Sequence, residues 1–171
     1  KRQMPGYRFI ASNTDRSKYY VGELNGKSSK QAYMDALHIS ESNIINQTFH
    51  NPIGKMNGQD ICIISLKEVS GNGLCCYRQV NDSDVLVLLE EQDYNEILDE
   101  TLQRIRRDFN HISGVFSINC VFRYLLFSQE HHMEDYLKTM STLGDHAGLI
   151  GFGEHYNQQF VNQTMTCVVF E

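Results

Sequence analysis

Three strand-like segments, residues 61–69, 74–80 and 85–91, follow one another with only Gly71-Asn72-Gly73 and Asn81-Asp82-Ser83-Asp84 between them. Links this short cannot carry a crossover helix, so consecutive segments are expected to run antiparallel as a meander. In the third, Val85-Leu86-Val87-Leu88-Leu89 shows no polar alternation. Such a strand is expected to be covered on both faces. An antiparallel sheet with one buried strand is therefore the frame into which the rest of the chain must fit.

Helices group around that frame rather than alternating with strands. Two strands are expected over residues 7–12 and 18–24, joined through Asn13-Thr14-Asp15, and Asn25-Gly26 then turns the chain into a helix. Ser28 or Ser29 can cap it, and Ala32, Tyr33, Ala36 and Leu37 recur at helical spacing. A short helix follows over residues 40–49 and stops before Pro52. Asp93 and Glu96 form an Asp-x-x-Glu capping box. Behind it Tyr94, Ile97, Leu98, Leu102, Ile105, Phe109 and Ile112 share one side of a helix. A strand over residues 114–119 runs directly into a helix over 120–127. A further helix spans 129–143, with Met133, Tyr136, Leu137 and Met140 inward and Gly144 as its stop. Two strands, expected to pair as a hairpin, close the chain. About eight strands and four or five helices in this order predict an α+β fold with mixed or antiparallel sheets, arranged as a layered α-β-β-α sandwich.

At 171 residues, with two prolines and no low-complexity stretch, residues 1–171 are expected to form one domain. Fifteen Lys and Arg stand against 21 Asp and Glu, a formal charge of −6. Arg104, Arg106 and Arg107 share their helix with Asp93, Glu96, Asp99 and Glu100, so no basic patch for nucleic acid forms. No apolar run approaches the roughly 20 residues of a membrane span. The chain opens on Lys1-Arg2-Gln3-Met4-Pro5 without a secretory leader pattern. The five cysteines, Cys62, Cys75, Cys76, Cys120 and Cys167, lie mostly in apolar stretches. They are expected to be reduced in a cytoplasmic protein. His131 and Asp135 make only half of a metal site, so no metal or cofactor is expected.

Two segments carry chemistry. In "GVFSINCVFR", residues 114–123, a strand enters a helix near Cys120, with Ser117 before the junction and Arg123 one turn beyond. Unpaired N–H groups at a helix start favour an anion and lower a thiol's pKa. Arg123 is placed there to hold a carboxylate in a two-pronged hydrogen bond. The structural alternative makes Cys120 a core residue and Arg123 a loop tether. In the closing stretch, Gly148, Gly151 and Gly153 lead to Glu154, His155 and Tyr156, and Asn162, Thr164 and Thr166 follow. Glycine within a strand marks a bulge or a close approach. Either Glu154 pairs with Arg123 and nothing binds, or the two charges bracket a guest.

These same residues resemble the FIST C domain family. Cys120-Val121-Phe122-Arg123 is similar to its Cys-x-x-Arg element, and Gly148-Leu149-Ile150-Gly151-Phe152-Gly153-Glu154 to its Gly-aromatic-x-x-aromatic-Gly-Glu element. Asn162-Gln163-Thr164 resembles its closing Asn-x-Thr, and "ELNGKSSKQAYMDAL" its opening strand, turn and helix. Leu149 stands where the family often has an aromatic residue. The resemblance implies a cytoplasmic sensory module of bacterial signalling proteins such as chemoreceptors and kinases. It implies a small-molecule ligand, amino acids among the candidates, and an output domain in the parent protein; homodimerisation is left open. The expected ligand-binding set is Arg123, Glu154, Cys120, Asn162, Thr164 and Ser117. Two rival readings stay open: a cysteine-dependent hydrolase using Cys120 with His146 or His155 as base, and a protein-interaction scaffold.

Overall fold

The structure is a computed structural model that describes residues 1–156 and 159–171. The chain forms two compact units, Lys1–Glu91 and Gln92–Glu171.

In the first unit, β1 (Arg2–Asp15) pairs with β2 (Tyr20–Leu24). Asn13, Thr14 and Asp15, expected as the link, belong to the strand, and the turn lies at residues 16–19. Asn25 and Gly26 both take positive φ, 52° and 72°, the geometry of a tight two-residue hairpin. They fold β3 (Lys27–Ser28) back onto β2. Asn25 is held there by its side chain: Oδ1 accepts from Ile10 N at 2.8 Å and Nδ2 donates to Arg8 O at 3.1 Å. Ser28 then caps α1 (Ser29–Leu37), its Oγ accepting from Gln31 N. Instead of one helix over 40–49, a 3-10 turn precedes the single-turn α2 (Ile44–Gln47).

The segment expected as one strand over 61–69 breaks at the buried Ser65. Before it, β5 (Asp60–Ile64) pairs with β4 (Ile53–Asn57). After it, β6 (Leu66–Ser70) pairs with β7 (Gly73–Cys76). Leu66 N turns to Thr48 Oγ1 at 2.8 Å, which satisfies a donor that an unbroken ladder would have used. With β8 (Val85–Glu90), the strands run β5-β4-β8-β1-β2-β7-β6, with β3 on β2, in one curled antiparallel eight-stranded sheet. The β7 and β8 segments are therefore not neighbours, as a simple meander requires. Strand β7 stops at Cys76, and residues 77–84 give the chain the length to cross to the other half of the sheet. The expectation for β8 holds: Leu86, Val87, Leu88 and Leu89, which alternate between its faces, are all buried. Leu86 and Leu88 join Ala11, Val21, Leu24 and Tyr33 in the core of this unit.

The second unit starts with α3 (Tyr94–Asp108), capped by Asp93, whose Oδ1 accepts from Asn95 N and Glu96 N. Its buried stripe is Leu98, Leu102 and Ile105; Ile97 is left exposed, and Phe109 is already extended. Strand β9 (Gly114–Cys120) runs straight into α4 (Val121–Gln129), as expected. A turn in which His131 has φ 55° separates α4 from α5 (Met133–Ser141). Tyr136 and Met140 face inward, and Leu137, expected inward, is exposed. The chain returns as β10 (Asp145–Gly151), parallel to β9.

The end of the chain corrects the expected two-strand hairpin. After β10 come β11 (Glu154–Tyr156), β12 (Gln159–Val161) and β13 (Met165–Phe170). Strand β13 pairs antiparallel with β9, not with β10, so the sheet order is β10-β9-β13. Strands β11 and β12 pair with each other; Asn157 and Gln158, which follow β11 in the sequence, lie outside the described residues. The α+β class stands, with five α-helices and largely antiparallel strands among the described residues. Among the described residues no helix is long and apolar enough to cross a membrane.

Candidate functional site

The second unit gathers polar side chains where β9 becomes α4. Along β9, Val115, Ser117 and Asn119 alternate with Phe116 and Ile118, and the first three are buried. Cys120 is the N-cap of α4, so Arg123 stands on the first turn. The Arg123 guanidinium donates through one terminal nitrogen to Asn119 Oδ1. Its carbon lies 4.4 Å from the ring centre of Phe127 and 4.8 Å from that of Tyr136. Two aromatic faces thus cradle the cation. Burial pulls its pKa down; Tyr136 and then Glu154 oppose that pull.

From Asn119 the polar chain continues inward. Asn119 Nδ2 donates to the Tyr136 phenol oxygen at 2.8 Å, Tyr136 meets Ser117 Oγ at 3.3 Å, and Ser117 meets His146 Nε2 at 2.8 Å. Burial holds His146 below the usual imidazole range. The Asn119 amide thus joins Arg123 to a buried Tyr136–Ser117–His146 hydrogen-bonded chain.

Glu154, at the start of β11, is only 3% exposed. Its Oε2 accepts from Thr164 Oγ1 at 2.8 Å, and its Oε1 is buried without a hydrogen-bond partner among the described residues. Among the described residues no direct ion pair joins Glu154 to Arg123, yet each acts on the other electrostatically. Burial raises the pKa of the Glu154 carboxyl; Thr164 and then Arg123 offset this only in part. The segment carrying Thr164 is fixed to the strand–helix junction, because Cys120 N donates to Thr164 O at 3.0 Å. Asn162 is buried beside it. The structure thus brings Arg123, Cys120, Glu154 and Thr164 to one junction, while Ser117 sits deeper, on His146.

The glycines divide by role. A Cβ at Gly148 would lie 2.6 Å from both the carbonyl oxygen and Oγ of Ser117, so only glycine lets β10 approach β9 there. Gly153 has φ +132° and would drive a Cβ into Phe160 and Asn162. Gly151 is under no such constraint, its nearest neighbour being Ile118 Cγ2 at 3.5 Å.

A model of the FIST C domain matches residues 30–157. The chain belongs to the FIST C domain family. The match to this FIST C family member spans parts of both units and ends before Asn162 and Thr164. No curated protein and no solved structure matches the chain. FIST C is a sensory domain family associated with signal transduction, and it is not an enzyme family.

Cys120 fits that assignment. Burial pushes its thiol pKa up, outweighing the backbone N–H groups of Gln163, Phe122 and Arg123 that pull it down. His146 is engaged with Ser117, and the His155 ring packs edge-on to Phe160 at 5.1 Å. Neither supplies the bonded base that a cysteine nucleophile needs. Asn119 and Tyr136 in the polar chain, and Phe127 against the guanidinium, were not among the expected site residues; His146 was expected only as a candidate base. The signal for one of them was present: in β9, Asn119 follows Ser117 on the face that also carries Val115.

Proposed function

We propose that this FIST C domain, residues 1–171 acting as one sensory module, binds a small zwitterion such as an amino acid and serves a cytoplasmic signalling protein of the bacterial chemoreceptor or kinase kind. Arg123 receives the ligand's carboxylate and Glu154 its ammonium. Thr164 and Asn162 line the same junction, and Cys120 and Ser117 shape its floor. An output domain of the parent protein reads the bound state. One observation carries this reading: Glu154 Oε1 is buried without a partner, beside a cation with which it makes no ion pair. Buried charged oxygens are costly unless bonded, so a carboxylate held in this way suits an incoming donor.

Titration calorimetry against a panel of free amino acids tests it. Arg123→Ala and Glu154→Gln are each expected to weaken the best binder at least about tenfold, since either change removes one charged contact. Unchanged affinity in both variants overturns the assignment of these two residues.

A further inference from the structure

One oxygen of Glu154 is used and the other is not. Oε2 takes the Thr164 hydroxyl, and Oε1 is buried with no hydrogen-bond partner among the described residues. A bare anionic oxygen there is expensive, and two occupants relieve it: a proton on the carboxyl, or a cationic donor brought by a guest. Arg123 is not that donor, because its guanidinium is seated on two rings and bonded to Asn119.

We propose that the two occupants exchange at Glu154: the carboxyl of the empty site carries a proton, and a ligand's protonated amine displaces it to bond Oε1, so that each binding event releases one proton. The balance is simple. An ammonium from solution and a neutral carboxyl become an ammonium–carboxylate pair, and the carboxyl proton passes to buffer. This rests on the reading of the Arg123–Glu154 junction as a ligand site, and adds the amine class and the protonation state of the empty carboxyl.

The surroundings support a single titrating group. Arg123 faces Glu154 from α4, and the Cys120 thiol faces it from the end of β9. The guanidinium stays charged and the thiol stays neutral through the acid and neutral range. His155 alternates to the other side of β11, against Phe160, and His146 bonds Ser117. Burial moves the Glu154 carboxyl in the direction the exchange requires.

Carbon-13 NMR of the full chain, labelled at glutamate carboxyl carbons and assigned with Glu154→Gln, tests this with methylammonium as the probe and tetramethylammonium as a cation without an N–H donor. In the free protein the Glu154 signal is expected to titrate above the ordinary glutamate range. Saturating methylammonium should move its midpoint down by at least about one pH unit, and tetramethylammonium should leave it in place. Below the free-protein midpoint, methylammonium affinity should increase about tenfold for each unit by which the pH is raised, as one released proton demands. Thr164→Val, checked for folding by circular dichroism, should raise the free midpoint further, because it removes a hydrogen bond to the ionised form. An ordinary midpoint, or one indifferent to methylammonium, overturns the exchange. Amino-acid binding that depends on Glu154 while the midpoint stays fixed overturns the exchange alone. A methylammonium-shifted midpoint without amino-acid binding supports it and removes the zwitterion reading.

Discussion

Asn119 stands between Arg123 and Tyr136, accepting from the guanidinium through Oδ1 and donating to the phenol through Nδ2 at 2.8 Å. The amide carries an acceptor and a donor on one planar group, and here both are used. The amide therefore sets where the cation sits, and the Phe127 and Tyr136 rings hold it there.

Replacing that amide tests its role. Asn119→Leu leaves an Arg123 N–H and the Tyr136 hydroxyl without this partner, so a loss of about 1–3 kcal/mol in urea denaturation is expected. Asn119→Asp keeps the acceptor for Arg123 and loses the donor to Tyr136, and should cost less. Equal stability of Asn119→Leu and the parent protein would remove Asn119 from the network.

Two glycine substitutions should separate. Gly148→Ala puts a methyl 2.6 Å from Ser117 O and Oγ, which forces β9 and β10 apart. Overpacking of this kind costs about 1–3 kcal/mol. Gly151→Ala meets nothing closer than 3.5 Å and should change thermal stability little. A tolerant Gly148 would contradict the close approach.

The pH dependence of Glu154→Gln has a definite sign. Because the folded carboxyl has a raised pKa, its contribution to stability is present below the ordinary value of 4.5 and is lost as pH rises through the folded value. Glutamine cannot ionise, so the variant should gain stability relative to the parent as pH climbs from acid to neutral. His146 has its pKa lowered and loses stability as pH falls below 6.5; being present in both proteins, it cancels in the difference. Paired denaturant midpoints across that range measure the trend, and a flat or opposite difference refutes it.

Cys120 should alkylate slowly. Its thiol is buried and its pKa is raised, so iodoacetamide at neutral pH should label it far more slowly in the folded chain than in urea. Mass spectrometry of the 120-containing peptide follows the rate. Rapid stoichiometric labelling would revive the nucleophile reading.

Local chemistry was legible in the sequence, and long-range pairing was not. The Asp93 cap, the Asn25-Gly26 turn and the strand-to-helix passage at Cys120 all depend on neighbours within a few residues. Hence they could be read directly. Strand partners depend on where a strand stops, and a single buried serine at position 65 sent two halves of one apolar run to opposite edges of a sheet. Likewise β13 pairs with β9, although its nearest strand-like predecessor suggested a hairpin. At the site, Arg123 and Glu154 announced themselves by charge. Asn119 and Tyr136 did not, because a buried amide and a helix-facing phenol look like ordinary core residues until their hydrogen bonds are seen.

Gly148 also bears on how relatives of this chain are to be compared. Its side-chain position is filled by Ser117, so selection would retain glycine there whether or not any guest ever binds. Invariance at 148 would report the spacing of two backbones, whereas invariance at 151, where a methyl group is free to enter, would be the evolutionary trace of something that must pass close by.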